Sequence, residues 1–271
     1  HADAGLQSDA KRRREALLSL QEAMTDANCD EGLMTALGSR LPAVFGSAQT
    51  TARFRSSSNA EDGAYFNGAG LYDSYSGCLS DDLDDDASGP SLCDADEDEE
   101  RGVCRAIKKV WASLWNPRAY DERAWYGIDQ SKAEMGILVS ERNQAELANM
   151  VAFTGNPVSK GDTRYLINAQ IGELPVVSPE PGVWPEQVLL TLDQGKVTKI
   201  ERIARSSEVQ EGKVVLSDAQ LKLLGAELSK LAAIYPFDLT PEKGRELLLD
   251  TEWKLTSEAK LRIKQVRPYL K

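Results

Sequence analysis

Apolar residues recur at helical spacing from Ala10 to Ala27, where Leu17, Leu18, Leu20, Ala23 and Met24 mark one stripe. A second, shorter helix is expected over Glu31 to Phe45, weakened by Gly38 and Pro42. At Thr51 the period changes to two. Thr51, Arg53 and Arg55 fall on one side of a strand, and Ala52 and Phe54 on the other. Val103 to Trp115 returns to helical spacing, with Ile107, Val110, Trp111 and Leu114 predicted on one face. MGILVSE, NMVAFTGNP and RYLINAQIGE read as strands, with a turn at Asn156-Pro157, and a return strand is expected within Val176 to Thr191. A short strand pair is expected from Val197 to Val209. Ser217 followed by Gln220 predicts a capping box, opening a helix that packs through Leu221, Leu224, Leu228, Leu231 and Tyr235.

The last twenty-odd residues carry the densest chemistry. Asp250 and Glu252 are two apart on one strand, Gln265 and Arg267 two apart on the next, and Ser257-Glu258-Ala259 forms the turn between them. Such a hairpin sets two carboxylates beside an amide and a guanidinium. Oxygen donors of this kind suit Mg²⁺, but acid and base pairs across a hairpin are also common as surface ion pairs. Earlier, Arg55 leads into Ser56, Ser57 and Ser58, where a planar fork of donors and three hydroxyls suit phosphate oxygens. An exposed basic strand with a polar turn explains the same residues without a ligand. Gly68 and Gly70 permit a tight backbone just beyond.

Composition narrows the classes. With 271 residues and 41% apolar content, the chain can bury the core of one large domain or two lobes. No apolar run approaches 18 residues, so no membrane span is predicted. The net charge of −11 is local: Asp81 to Glu100 holds 11 acids and no base, so the remainder is near neutral and shows no basic patch of a nucleic-acid binder. That acidic stretch is expected to be a solvated, self-repelling loop, with Ca²⁺ as a second reading because clustered carboxylates offer hard oxygen ligands; the EF-hand spacing is absent. Four cysteines stand at 29, 78, 93 and 104, without a C-x-x-C motif. Linkage of Cys78 to Cys93 or Cys104 would close the loop in an oxidising compartment. The sole histidine is His1. Location stays open, and is periplasmic or secreted if the loop is disulfide-bonded.

RSSSNAED followed by FNGAGLYDSY resembles the phosphate-binding segment of the phosphoenolpyruvate synthase and pyruvate phosphate dikinase family. Three further blocks follow in that family's order: VWASLWNPRAYDER, then VAFTGNP with INAQIGE, then DTEW with LRIKQVRP. The resemblance spans about Arg55 to Pro268. It implies an α/β (α+β) ATP-grasp-like domain over 51–271, preceded by a helical segment at 1–50 and interrupted by a cysteine-flanked insertion at 78–104. The family's lysine-bearing glycine-rich region has no counterpart among residues 1–50, and Trp184-Pro185-Glu186 departs from its usual return strand.

The resemblance further implies ATP and Mg²⁺ as cofactors, a phosphoacceptor on another domain or chain, and a cytoplasmic location for an active ATP-using enzyme. Arg55 and Arg267 match catalytic positions; Arg55, Ser56, Glu173, Gln265 and Arg267 match nucleotide contacts; Asp250, Glu252 and Gln265 match metal-binding positions. Arg118 and Arg123 admit either a cleft-facing or a structural role. Neither a phosphohistidine domain nor a pyruvate barrel lies within these residues, so synthesis of phosphoenolpyruvate by this chain alone is not expected. A non-catalytic binding module that kept the fold is the alternative, and glycan or small-molecule phosphorylation a third possibility.

Overall fold

Asp9 opens the first helix, its carboxylate accepting from the N–H groups of Lys11 and Arg12, and α1 follows over Ala10–Asp26. The computed structural model describes residues 8–61, 66, 68, 70–84, 86, 88–142, 146–177, 179–237, 241 and 244–271. The chain divides into two units, His1–Arg142 and Asn143–Lys271. Both are built from antiparallel sheets with helices packed on them.

In the first unit, α2 (Glu31–Phe45) tolerates Pro42 and ends at Gly46, whose φ of 87° suits glycine. Strand β1 (Ala52–Ser58) lies between β2 (Tyr75–Gly77) and β3 (Met135–Glu141). The predicted alternation holds: Ala52 and Phe54 enter a core with Leu41, Leu79, Val103, Ala106, Ile107 and Val110. Most of those partners come from α3 (Val103–Ser113), which is capped from elsewhere in the chain. Its N-cap residue, Gly102, has no side chain, so Asp82 accepts from the N–H groups of Val103 and Cys104 instead. A Cβ at Gly102 would stand 2.5 Å from Asp82 Oδ1, which is why the position is glycine. Trp111 departs from expectation. The buried arc of α3 runs through Val103, Ala106, Ile107 and Val110, and Trp111, at its edge, stays 38% exposed.

Two disulfides belong to this unit. Cys78–Cys93 closes the acidic segment, one of the pairings the spacing allowed. Cys29–Cys104, which the sequence reading did not anticipate, ties the α1–α2 corner to the first turn of α3. Both arginines of α4 (Pro117–Trp125) grip the glycine-bearing segment. Arg118 donates to the Gly70 carbonyl. Arg123 is fully buried and donates to Tyr72 Oη at 2.9 Å, Gln130 Oε1 at 2.9 Å and the Leu114 carbonyl at 2.8 Å. Its role is therefore structural. Arg123→Ala strands three acceptors and is expected to cost about 3 kcal/mol; an unchanged thermal midpoint would contradict this account.

The second unit is a six-stranded sheet in the order β7-β6-β5-β4-β8-β9. Its strands are β4 (Ala148–Phe153), β5 (Tyr165–Ile171), β6 (Glu186–Asp193), β7 (Lys196–Ala204), β8 (Leu247–Leu255) and β9 (Leu261–Leu270). Helix α5 (Asp218–Ile234) begins with the expected Ser217–Gln220 capping box. It buries Leu221, Leu224 and Leu228 against Met150, Ala152, Ile167, Val188, Leu190 and Trp253 on one face of the sheet. The expected strand pair at 197–209 is a single strand, β7, that forms a hairpin with β6. The turn at Gln194-Gly195, with φ of 46° and 77°, supplies the reversal earlier than expected. Residues beyond Ala204 leave the ladder, where Ser206 Oγ donates to Gln170 Oε1 at 2.6 Å.

Candidate functional site

Directly opposed residues in an antiparallel ladder share a face. In the second unit the register aligns Asn168, Val151, Glu252 and Gln265 as one row across β5, β4, β8 and β9. The rows on either side contain Phe153, Asp250 and Arg267, and Gln170, Asn149 and Lys254. The face turned away from α5 is therefore polar, and it carries every terminal-hairpin residue singled out from the sequence. Period-two alternation explains the split. The intervening Thr251, Trp253 and Leu255 point to the other side and are buried.

The hairpin has the predicted pairing: Asp250 opposes Arg267 and Glu252 opposes Gln265. The two pairs differ in kind. Arg267 Nε and Nη2 both approach Asp250 Oδ2, at 2.8 and 2.7 Å, leaving Asp250 Oδ1 buried without a hydrogen-bond partner. Glu252 and Gln265 have no side-chain hydrogen bond or ion pair among the described residues. Asn168 Oδ1, in the same row as Glu252, is likewise buried and unpartnered. A face with a free carboxylate, a free amide and two orphaned oxygens is rich in acceptors that the fold itself does not use. Buried acceptors left unsatisfied cost about 1–3 kcal/mol each, a cost that a donor or a cation on this face would relieve.

Beyond Glu252, a second charged cluster closes the face. Glu146 Oε1 lies 3.3 Å from Lys254 Nζ, and its Oε2 lies 3.4 Å from Lys264 Nζ. Lys264 Nζ also donates to Asn149 Oδ1 at 2.8 Å, and Asn149 Nδ2 donates to the Gly172 carbonyl at 2.9 Å. Sequence reasoning missed this group. Glu146 and Lys264 are 118 positions apart, and only the strand order brings them together. Glu173, exposed in the turn after β5, sits one residue beyond that Gly172 carbonyl.

In the first unit, Arg55 lies on the β1 face away from α3, opposite Leu138, with no hydrogen bond or ion pair among the described residues. Arg53, on the same face, donates to Ser76 Oγ at 3.2 Å. Strand alternation turns Ser56 to the other face, so the hydroxyl residue beside Arg55 is Ser57. Asp62 of the same motif lies outside the described residues. Gly68 and Gly70 take φ of 66° and 70°, the left-handed backbone that glycine allows.

The acidic segment is more ordered by contacts than a self-repelling loop would be. Asp81 accepts from the N–H groups of Leu92 and Arg101, both at 2.8 Å. Carboxylate oxygens of Asp84, Asp86 and Glu100 lie within 4.8 Å of one another. A hydrogen bond to Asp86, burial, and the nearby charges of Asp84, Asp86 and Asp81 push the Glu100 carboxyl up to about 7. Cys78, Asp81 and Cys93 also converge, but their sulfurs are consumed by the disulfide.

The chain belongs to the pyruvate phosphate dikinase AMP/ATP-binding domain family, which it matches over residues 3–270. It is 28% identical over 181 residues to phosphoenolpyruvate synthase of Pyrococcus furiosus, covering 65% of this chain and 20% of that protein. A probable phosphoenolpyruvate synthase of Methanocaldococcus jannaschii is 26% identical over 273 residues, or 96% of this chain and 21% of that protein. Alpha-glucan water dikinase 1 of Arabidopsis thaliana is 44% identical over 70 residues, 25% of this chain and 5% of that protein. The chain thus spans about a fifth of the synthases it matches. Among the described residues no helix is long and apolar enough to cross a membrane.

Proposed function

We propose that the chain binds Mg·ATP with an ATP-grasp-like arrangement and serves as the nucleotide module of a dikinase-type phosphotransferase. The observation that carries this is the Glu252–Gln265 pair, without side-chain partners among the described residues and flanked by Asp250–Arg267, in a chain of an AMP/ATP-binding family. The donor set suits the ion. Glu252, the Gln265 carbonyl and the orphaned Asp250 Oδ1 are hard oxygen ligands of the kind Mg²⁺ takes. When bound, the metal would neutralise charge on the phosphates. The protein's own part is positional: within the second unit Arg267 donates to phosphate oxygens while Asp250 holds its guanidinium in place, and Arg55 of the first unit is assigned as a phosphate donor from its motif. Glu173 is assigned to the ribose side. Transfer requires an acceptor supplied by another domain or chain.

Calorimetry of the wild-type chain with ATP, with and without Mg²⁺, tests the reading. Metal-dependent binding is expected. Absence of heat and of any thermal shift at millimolar nucleotide would decide for a second reading, a binding module without transfer. The two disulfides favour that alternative, because such bonds persist in oxidising compartments.

We further assign Asp84, Asp86 and Glu100 as a weak Ca²⁺ site that steadies the disulfide-closed segment. The elevated Glu100 value fixes the sign of its pH dependence. Protons occupy Glu100 below about 7 and compete with the ion, whereas above that value the crowded charges favour it. Millimolar Ca²⁺ should therefore raise the melting temperature more at pH 8 than at pH 6. An equal shift at both, or none, would remove the assignment.

A further inference from the structure

The register of the terminal hairpin slips by one residue between Glu252 and Trp253. Glu252 opposes Gln265 while Trp253 opposes Ile263, so Lys264 is the extra residue of a β-bulge. The bulge allows Lys264 to lie on the polar face beside Gln265. From β9 its side chain crosses β8 and meets Asn149 Oδ1 on β4 and Glu146 Oε2 just before it. The ammonium has three donors, and these contacts use two among the described residues. Its side chain is 21% exposed, so the remaining donor is within reach of solvent on this face.

The neighbours are held as well. Asn149 is fixed by its bond to the Gly172 carbonyl, and the Glu146 carboxylate, only 6% exposed, is braced by Lys254. A lysine held in this way has already lost much of its rotamer freedom, so a ligand would not have to order it. Along β8 the free carboxylate of Glu252 thus has a cation on each side: Arg267, opposite Asp250, two residues before it, and Lys264 with Lys254 two residues after.

We propose that Lys264 is a polyphosphate contact of this domain, a second cationic anchor on the far side of Glu252 from Arg267. The assignment rests on the nucleotide reading above and specifies the ligand's anionic part: an oxygen of a phosphate chain takes the unused ammonium donor. Glu146 and Asn149 are positioning residues that aim the ammonium.

The test compares Mg·ATP, Mg·ADP and AMP binding by calorimetry in the full chain and in Lys264→Gln and Lys264→Arg, with melting curves as a check on folding. A contact to the phosphate chain makes the loss grow with phosphate number. Lys264→Gln should weaken Mg·ATP at least about tenfold and AMP by less than about threefold. Lys264→Arg keeps the charge and should recover most of the Mg·ATP affinity. An equal loss for all three nucleotides, or no loss, would overturn the assignment while leaving the nucleotide reading intact. A wild-type chain that binds none of the three would remove that reading and this assignment with it.

Discussion

Glu252→Ala should lower Mg·ATP affinity by at least about thirtyfold, about 2 kcal/mol or more if the carboxylate is desolvated in the complex, and abolish most of its metal dependence. The expectation follows from what Glu252 lacks. It sits centrally on the polar face of the second sheet and makes no internal ion pair among the described residues, so its removal strands no protein group. The fold should therefore persist, and the loss should appear in binding alone. Arg55→Ala should also lower affinity, through phosphate contact rather than through the metal, so its effect should remain in nucleotide titrations without Mg²⁺. The contrast comes from Asp250→Ala. It releases Arg267 from a partner at 2.7 Å and should disturb folding and binding together. Full affinity in Glu252→Ala would dissociate the hairpin from the nucleotide.

The second large effect concerns stability. Cys29–Cys104 closes a span of 75 residues, and the chain-entropy account gives such a closure about 4.5 kcal/mol. Cys78–Cys93 closes 15 residues, for about 3 kcal/mol by the same account. The smaller loop is nested within the larger, so reducing both should cost less than the sum. Paired Cys29→Ser and Cys104→Ser substitutions should be felt in α3, whose first turn the bond anchors. Hydrogen exchange of α3 amides is the direct readout, since the two units need not unfold together. Amides of the second unit, which holds no cysteine, should keep their protection under reductant. Unchanged exchange in α3 after both substitutions would contradict the stabilising role.

The hairpin was legible because its information is local. Two-residue spacing puts Asp250 with Glu252, and Gln265 with Arg267, on one face of their strands; the turn alone would oppose Glu252 to Lys264, and the slip in β9 is what sets Asp250–Arg267 and Glu252–Gln265 opposite. The capping box at Ser217 and the alternation at Ala52 and Phe54 were legible for the same reason. What escaped depends on distant pairing. Nothing near Cys29 points to Cys104, and nothing near Gly102 says that Asp82 will cap its helix. The bulge is a subtler case. L-R-I-K-Q-V-R scans as an ordinary alternating strand, which would face Lys264 away from Gln265. The slipped register puts Lys264 and Gln265 on one face, where the ammonium meets Asn149 and Glu146. Trp111 shows the limit of helical periodicity, which defines an arc but not how wide a neighbouring sheet will cover it.

The outer disulfide makes residues 29 to 104 a covalent ring that contains Arg55, the glycine-bearing segment and the whole acidic stretch. A single proteolytic cut between 30 and 103 therefore opens the ring without dividing the molecule. The nicked protein would run as one species without reductant and as two with it. For Arg55 the consequence is particular. A backbone break in the acidic stretch would leave its strand joined to the residues beyond the break through sulfur alone, by both disulfides if the cut falls before Cys93 and by Cys29–Cys104 alone if it falls after.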